Sequence, residues 1–317
     1  MPICAPICPR QIFPPPTTIA MSTYNGDLYL KQQIESILGQ QGVHVQLLVR
    51  DDGSTDQTLS ILDKYQSDAQ LHYYTGPNLQ TARSFMQLIF DSPESDYYAF
   101  SDQDDVWSES KLNRAISFLE ENTPDHMIPM LYAGNFKMTD RNLNPISGGQ
   151  HFTTQTFANA IIYSCCTGCT MVMNKKLRDI LRTHPIPNHL LMHDDWIHKV
   201  CLAVGGKVVF DSKPMMFYRQ HGNNVDGGIH TINDKIRKVW KEKHQHSRIM
   251  SSQLNDLLKL YGEQMPKKNR ELLQHALEFG KGSLVQRMRL AFDPTYEIRE
   301  NRNLNHEFRI SLLMNYW

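Results

Sequence analysis

From Thr17 onward the chain alternates short apolar runs with segments whose apolar residues recur at helical spacing. Thr17 to Ser22 reads as a buried strand, and Leu30, Ile34, Ile37 and Leu38 then fall on one face of a helix. Val45 to Arg50 is a second strand. It runs into Asp51-Asp52-Gly53-Ser54, where Ser54 and Gln57 have capping-box spacing and predict a helix reaching Tyr65. Leu71 to Thr75 predicts a third strand, Thr81 to Phe90 a helix, and Tyr97 to Ser101 a fourth strand. Strands separated by helices imply an α/β domain: a mostly parallel, Rossmann-like sheet flanked by helices, with right-handed crossovers. Such sheets bind ligands beyond the carboxyl ends of their strands.

The second half continues the pattern and then changes it. Thr167 to Met173 reads as a central strand after a tight turn, Met192 opens a helix towards Val204, and Lys207 to Asp211 and Met215 to Tyr218 are strands. Beyond Thr231 apolar residues such as Leu254, Leu257, Leu258 and Tyr261 keep helical spacing among Lys, Arg, His and Gln, which predicts a C-terminal helical extension. The expected organisation is a proline-rich disordered leader over residues 1–16, an α/β domain over 17–228 and the extension over 229–317. The closing stretch Phe308 to Trp317 is apolar enough to dock on the rest.

Composition narrows the class. Lysine plus arginine and aspartate plus glutamate both total 33, so the chain is formally neutral and no bulk affinity for nucleic acid is expected. No apolar run approaches the roughly 20 residues that cross a bilayer; the best one, Ala158 to Met173, is interrupted by Asn159, Ser164, Thr167 and Gly168. Six irregularly spaced cysteines do not form a disulfide framework in a chain of 317 residues, which favours a reducing, cytoplasmic setting. Cys166 and Cys169 have the spacing of half a zinc site, but no second pair completes it, and they are expected to pack as small apolar residues. The basic run Lys235 to Lys241 fits either an anionic membrane surface, giving peripheral contact at the inner face of the membrane, or a solvated helix face.

Candidate chemistry concentrates at strand ends. Phe100-Ser101-Asp102-Gln103-Asp104-Asp105-Val106-Trp107 brings three carboxylates together directly after an apolar strand. In an extended segment Asp102 and Asp104 share a side, so two hard oxygen ligands converge on Mg²⁺ or Mn²⁺ carrying a diphosphate. A solvated acidic turn before a helix near Ser108 is the plainer alternative. Asp51 and Asp52 end the neighbouring strand, where they suit a base N–H or a ribose hydroxyl. Neither a Gly-x-x-x-x-Gly-Lys loop nor a Gly-x-Gly-x-x-Gly turn is present, so the phosphates of a nucleotide would be neutralised by metal.

Four ordered motifs carry a resemblance: Ala20 to Gly26, Arg50 to Asp56, Phe100 to Trp107, and Tyr218-Arg219-Gln220-His221-Gly222-Asn223-Asn224. With them the segment from Thr18 to Asn224 resembles a glycosyltransferase of family 2 with the GT-A fold, most similar to its bacterial rhamnosyltransferase-like branch. The resemblance implies that Thr23, Asp51 and Asp52 contact the nucleoside, that Asp102 and Asp104 form the metal-binding pair, and that His221 completes the metal or diphosphate site. It further implies that the loop from Pro77 to Arg83 borders the donor, with Arg83 suited to a phosphate or sugar.

The acceptor cleft is implied around Gly168, Cys169 and Trp196. Asp194 matches the general base, while the adjacent Asp195 stands where that branch carries tryptophan. Neighbours on a helix point about 100° apart, so only one of the two can face the reacting carbon. The implied activity is inverting transfer of a sugar, L-rhamnose or another hexose, from a nucleotide diphosphate (dTDP-rhamnose, or a UDP-sugar) to a hydroxyl of a cell-surface glycan or lipid-linked saccharide. A sugar-nucleotide pyrophosphorylase and a non-catalytic carbohydrate-binding protein of the same fold are the rival readings.

Overall fold

The computed structural model describes residues 14–122, 127–148, 156–220, 232–298 and 302–317, with backbone alone for 232–246. One eight-stranded sheet runs through it. In chain order the strands are β1 (Pro16–Thr23), β2 (His44–Asp51), β3 (His72–Thr75), β4 (Tyr97–Ser101), β5 (Val106–Trp107), β6 (Met130–Thr139), β7 (Met171–Asn174) and β8 (Lys207–Arg219). Their spatial order is β3-β2-β1-β4-β7-β6-β8-β5. Strands β1 to β4 pair parallel, as their helical connections require, β7 is antiparallel to both neighbours, and β6 pairs parallel with β8.

Both faces of the sheet are covered, and the period-2 alternation of each strand assigns residues to a face. Ile19, Met21, Tyr97 and Ala99 point into one core with α1 (Asp27–Leu38), α2 (Thr58–Ser67) and α4 (Lys111–Asn122). Ala20, Tyr98 and Phe100 point into the other. That second core receives α3 (Gln80–Asp91), α5 (Phe157–Ile162), α6 (Lys175–Leu181) and α7 (His193–Ala203). It also receives the C-terminal helices α8 (Ile232–Tyr261), α9 (Lys267–Gly280), α10 (Leu284–Ala291) and α11 (Arg302–Leu313). The extension therefore shares a core with the sheet: Leu254, Leu257 and Tyr261 are buried in one apolar cluster with Phe85 and Trp196. The closing segment docks, with Trp317 edge-on to Phe308 at 5.3 Å between ring centroids.

Three local expectations are corrected. Ser54 does not cap α2, which starts at Thr58, because its hydroxyl is drawn to Asp51 at 2.5 Å. Residues 168–170 of the expected central strand form a 3₁₀ turn, so β7 begins at Met171. The two strands expected over 207–218 are one, β8, kept continuous by register shifts against β6. Of the leader expected over residues 1–16, residues 1–13 lie outside the described residues, while Pro16 already belongs to β1 and pairs with His44. The expected boundary near residue 228 and the basic side chains of 235–241 lie outside the described residues or their described side chains.

Candidate active site

The parallel strands deliver their polar ends to one edge of the sheet. Thr23 and Asp51 are register partners at the ends of β1 and β2, and the Thr23 hydroxyl donates to Asp51 Oδ2 at 3.0 Å. Asp51 Oδ1 accepts from the N–H groups of Gly53 and Ser54 at 3.0 and 2.8 Å. This tight turn places Gly53 at φ +87°, a conformation that glycine adopts without a Cβ penalty. Asp51 thus fills its four acceptor positions inside the fold. Asp52, expected to meet the nucleoside, is buried against Arg50 and accepts from Ser84 Oγ at 3.0 Å and from Leu79 N–H at 2.9 Å. The structure makes it a tie between β2 and the start of α3. Arg83 likewise donates from Nη2 to the carbonyls of Pro187 and Asn188, at 3.1 and 3.0 Å, instead of standing free for a phosphate.

The acidic segment joins β4 to β5 through a bend at residues 103–104. The bend ends the strand alternation at Ser101. Ligand-type atoms of Asp102, Asp105 and Cys169 lie within 4.8 Å of one another. Asp104, expected to pair with Asp102, is not in this cluster, and its backbone carbonyl accepts from Arg219 Nε at 2.7 Å. Cys169, expected in the acceptor pocket, is buried beneath this segment. His221 is outside the described residues.

Two side chains hold the segment in shape. Gln103 pairs with the backbone of Tyr24 like a strand neighbour, accepting from its N–H at 2.9 Å and donating to its carbonyl at 3.1 Å. Arg219, at the end of β8, donates its N–H to Asp105 Oδ1 at 3.2 Å and Nη2 to Gln32 Oε1 at 2.7 Å, and it lies 4.4 Å above the Tyr29 ring. Asp105 and Arg219 stand inside the quoted motifs without an assigned role, and the buried Lys111, whose Nζ sits 3.3 Å over the Trp107 ring, lies outside them; all three border this segment. The available signal was a charged residue at the end of a buried strand.

Electrostatics at the cluster favour a cation. Burial, then the neighbouring Asp104 charge, pushes the Asp102 carboxyl up to about 7. Burial, with Asp102 and Asp104 close by, raises Asp105 as well. Burial also lowers the Lys111 ammonium to about 7, so the local cation is weak compensation. Asp105 Oδ2 has no hydrogen-bond partner among the described residues. Crowded carboxylates with an unsatisfied oxygen match the hard-oxygen preference of Mg²⁺ and Mn²⁺. The Cys169 thiol, raised by burial and by Asp105 and Asp102, is better suited to donate to the carboxylates than to ligate such an ion.

Across the site stands Asp194, in the first turn of α7. Its Oδ2 accepts from Gly168 N–H at 2.9 Å and its Oδ1 from Asp195 N–H at 2.7 Å. Burial, then the Asp195 charge, raises its carboxyl to about 6, and its own charge is felt by Asp102. Asp195 points elsewhere: it ion-pairs with the buried Lys199 and accepts from Gln253 Nε2 at 2.5 Å. Of the two acids, Asp194 is the one not committed to an ion pair among the described residues. Trp196, expected to line the acceptor pocket, is core: it is 1 % exposed and meets Tyr261 edge-on at 6.0 Å. Gly168 admits the His193 ring and not a ligand, since a Cβ there would fall 2.3 Å from His193 Nε2.

This fold and site define a sugar-transferring enzyme of GT-A type. Residues 18–181 match the family described as Glycosyl transferase family 2, and the chain belongs to that family; it is a glycosyltransferase that uses a nucleotide sugar. It is 27 % identical over 234 residues to dTDP-rhamnosyl transferase RfbG of Shigella flexneri, covering 69 % of this chain and 78 % of that protein. It is 29 % identical over 161 residues to the Escherichia coli UDP-Glc:alpha-D-GlcNAc-diphosphoundecaprenol beta-1,3-glucosyltransferase WfgD, covering 50 % and 60 %. Its fold is similar to that of S. aureus TarS 1-349 in complex with UDP, with TM-score 0.56 and 15 % identity over 95 % of this chain and 88 % of that one. It is also similar to the mannosyltransferase PcManGT from Pyrobaculum calidifontis in complex with GDP-Man and Mn2+, with TM-score 0.50 and 14 % identity over 96 % and 88 %. No helix among the described residues is long and apolar enough to cross a membrane.

Proposed function

We propose that this glycosyltransferase inverts the anomeric centre as it transfers L-rhamnose from dTDP-rhamnose to a hydroxyl of a cell-surface glycan or lipid-linked saccharide. The observation that carries the mechanism is that the carboxylate of Asp194 is held by the N–H of Gly168, whose chain neighbour Cys169 lies with Asp102 and Asp105. The choice of sugar is supported by the similarity to a dTDP-rhamnosyl transferase over 78 % of that protein's length.

In this reading the nucleoside lies over Thr23 and Asp51 and reaches the Asp51 carboxylate in exchange for the Ser54 hydroxyl. Asp102 and Asp105, joined by Asp104 and, as the family resemblance implies, His221, would hold Mg²⁺ or Mn²⁺, which when bound would neutralise the leaving diphosphate. Asp194 accepts the proton of the acceptor hydroxyl as its oxygen forms the new bond to the anomeric carbon. The bond from that carbon to the diphosphate oxygen breaks on the opposite side, and the nucleoside diphosphate departs with the electron pair. The Gly168 and Asp195 N–H groups fix the orientation of Asp194 throughout.

A panel of nucleotide sugars screened for metal-dependent hydrolysis tests this, since water replaces the acceptor slowly. Faster hydrolysis of dTDP-rhamnose than of the other donors is expected. Preference for UDP-glucose or UDP-galactose overturns the choice of sugar, and binding without turnover of any donor overturns the mechanism.

A further inference from the structure

The segment that presents Asp194 is held from outside the catalytic sheet. Gln253, on helix α8, is fully buried. Its Oε1 accepts from the backbone N–H of Leu191 at 2.8 Å, and its Nε2 donates to Asp195 Oδ2 at 2.5 Å. One amide therefore grips the chain two residues before α7 begins and again in the first turn of that helix, with Met192, His193 and Asp194 between the two grips. One turn along the same face of α8, Asp256 Oδ2 accepts from His189 N–H at 2.9 Å and lies 3.0 Å from His189 Nδ1. Both grips fall outside residues 18–181, the part of the chain that matches the family.

We propose that Gln253 is a positioning residue for Asp194, which makes the C-terminal extension a working part of the active site. The chemistry fits an amide and little else. Leu191 supplies a donor and Asp195 an acceptor, so the bridging side chain must accept at one atom and donate at the other, which the planar amide of Gln253 does from a single end group at any pH. Asparagine is one methylene shorter. Gln253 is fully buried and both ends of its amide are paired, so it ties Leu191 to Asp195 on either side of Asp194 and narrows the positions that its carboxylate can take.

This inference rests on the reading of Asp194 as the base, and a double-mutant cycle separates the two. Hydrolysis of dTDP-rhamnose, or of UDP-glucose if the screen selects it, is measured for Gln253→Met, Asp194→Asn and the double variant. Affinity for dTDP and UDP and the melting curve are measured alongside. Gln253→Met is expected to lower kcat by about 10- to 10²-fold, the scale of a 1 Å misplacement, with unchanged affinity for the nucleoside diphosphate. The double variant is expected to be no slower than Asp194→Asn alone, as for residues acting as a unit. If Gln253→Met fails to fold, Gln253→Asn, which keeps the amide, replaces it in the cycle. An active Asp194→Asn sinks the base reading and this inference together. An inactive Asp194→Asn beside an unchanged kcat for Gln253→Met, or beside additive losses, overturns the positioning role alone.

Discussion

Gly168 donates its backbone N–H to the carboxylate of Asp194 at 2.9 Å, and the glycine faces the ring of the preceding residue, His193. His193 is buried and stacks on Phe85 at 4.1 Å between ring centroids, so it cannot retreat without disturbing the core. The bare Cα of Gly168 therefore sets where the first turn of α7 lies and how Asp194 is held.

Adding one methyl group tests that relationship. Gly168→Ala is expected to lower stability by about 1–3 kcal/mol, the usual cost of overpacking. Donor hydrolysis should fall about 10- to 10²-fold through misplacement of Asp194. Thermal melts and initial rates measure both; a variant with normal values for both removes Gly168 from this role.

The raised Asp194 carboxyl predicts the pH profile. A general base works deprotonated, so kcat should climb as pH rises through about 6 and level off above it. Asp194→Asn should cost about 10² to 10⁴ in kcat and erase that limb. A wild-type rate independent of pH between about 5 and 8 would argue against this carboxyl as the base.

Asp195 should behave differently from its neighbour. Asp195→Ala leaves the Lys199 ammonium, 0 % exposed, without its carboxylate. Loss of one partner of a buried pair costs about 3–5 kcal/mol. Urea titration of Asp195→Ala and of Asp195→Asn with Lys199→Met checks this, with the double variant recovering stability. Equal stability of the single variant and the wild type refutes the ion pair's importance.

Asp102→Asn and Asp105→Asn should each weaken Mn²⁺ binding, followed by titration of the unliganded protein, by at least about tenfold. In Asp105→Asn the amide oxygen can still accept from the Arg219 N–H, so the fold should persist. Asp104→Ala, tested beside them, ranks the third carboxylate. Unaltered Mn²⁺ affinity in Asp105→Asn would return its place to Asp104.

Two buried histidines predict acid sensitivity. Burial holds His193 at about 3, and burial together with the Lys199 charge does the same for His198. Both lie below the ordinary value near 6.5, so the unfolded chain binds more protons as pH falls beneath about 6.5. The stability from keeping them neutral is complete above that pH and is lost progressively towards pH 3. His193→Phe should flatten this dependence in urea titrations across that range; an unchanged slope excludes His193 as a source.

Strands β1 to β4 were legible because their ends are punctuated by acids or turn residues and the helices between them keep their period, whereas β5 and the central strand β6 were not expected. What escaped the sequence was set by long-range partners. Ser54 looked like a cap until Asp51 took its hydroxyl. Trp196 looked like a pocket wall until Tyr261, from the far end of α8, covered it. Asp105 joins the cluster of Asp102 and Cys169 beyond a bend at residues 103–104, and no periodicity reports a bend between two short strands. The role of Arg219 was invisible in its own motif, since the loop that it fastens lies more than a hundred positions earlier.

That fastening has a consequence for the order of events in folding. Asp105 and Arg219 are 114 positions apart, and the hydrogen bond between them can form only after β8 has joined the sheet. Contacts of such separation are slow to form, because the intervening chain must be ordered first. A chain made from its N-terminus therefore carries Asp51 and Asp102 through much of its synthesis before the side chain that shapes their neighbourhood exists. The acids at the strand ends come early and the contact that fastens their segment comes late, so an unfinished chain carries Asp102 and Asp105 before the loop between them has its final shape.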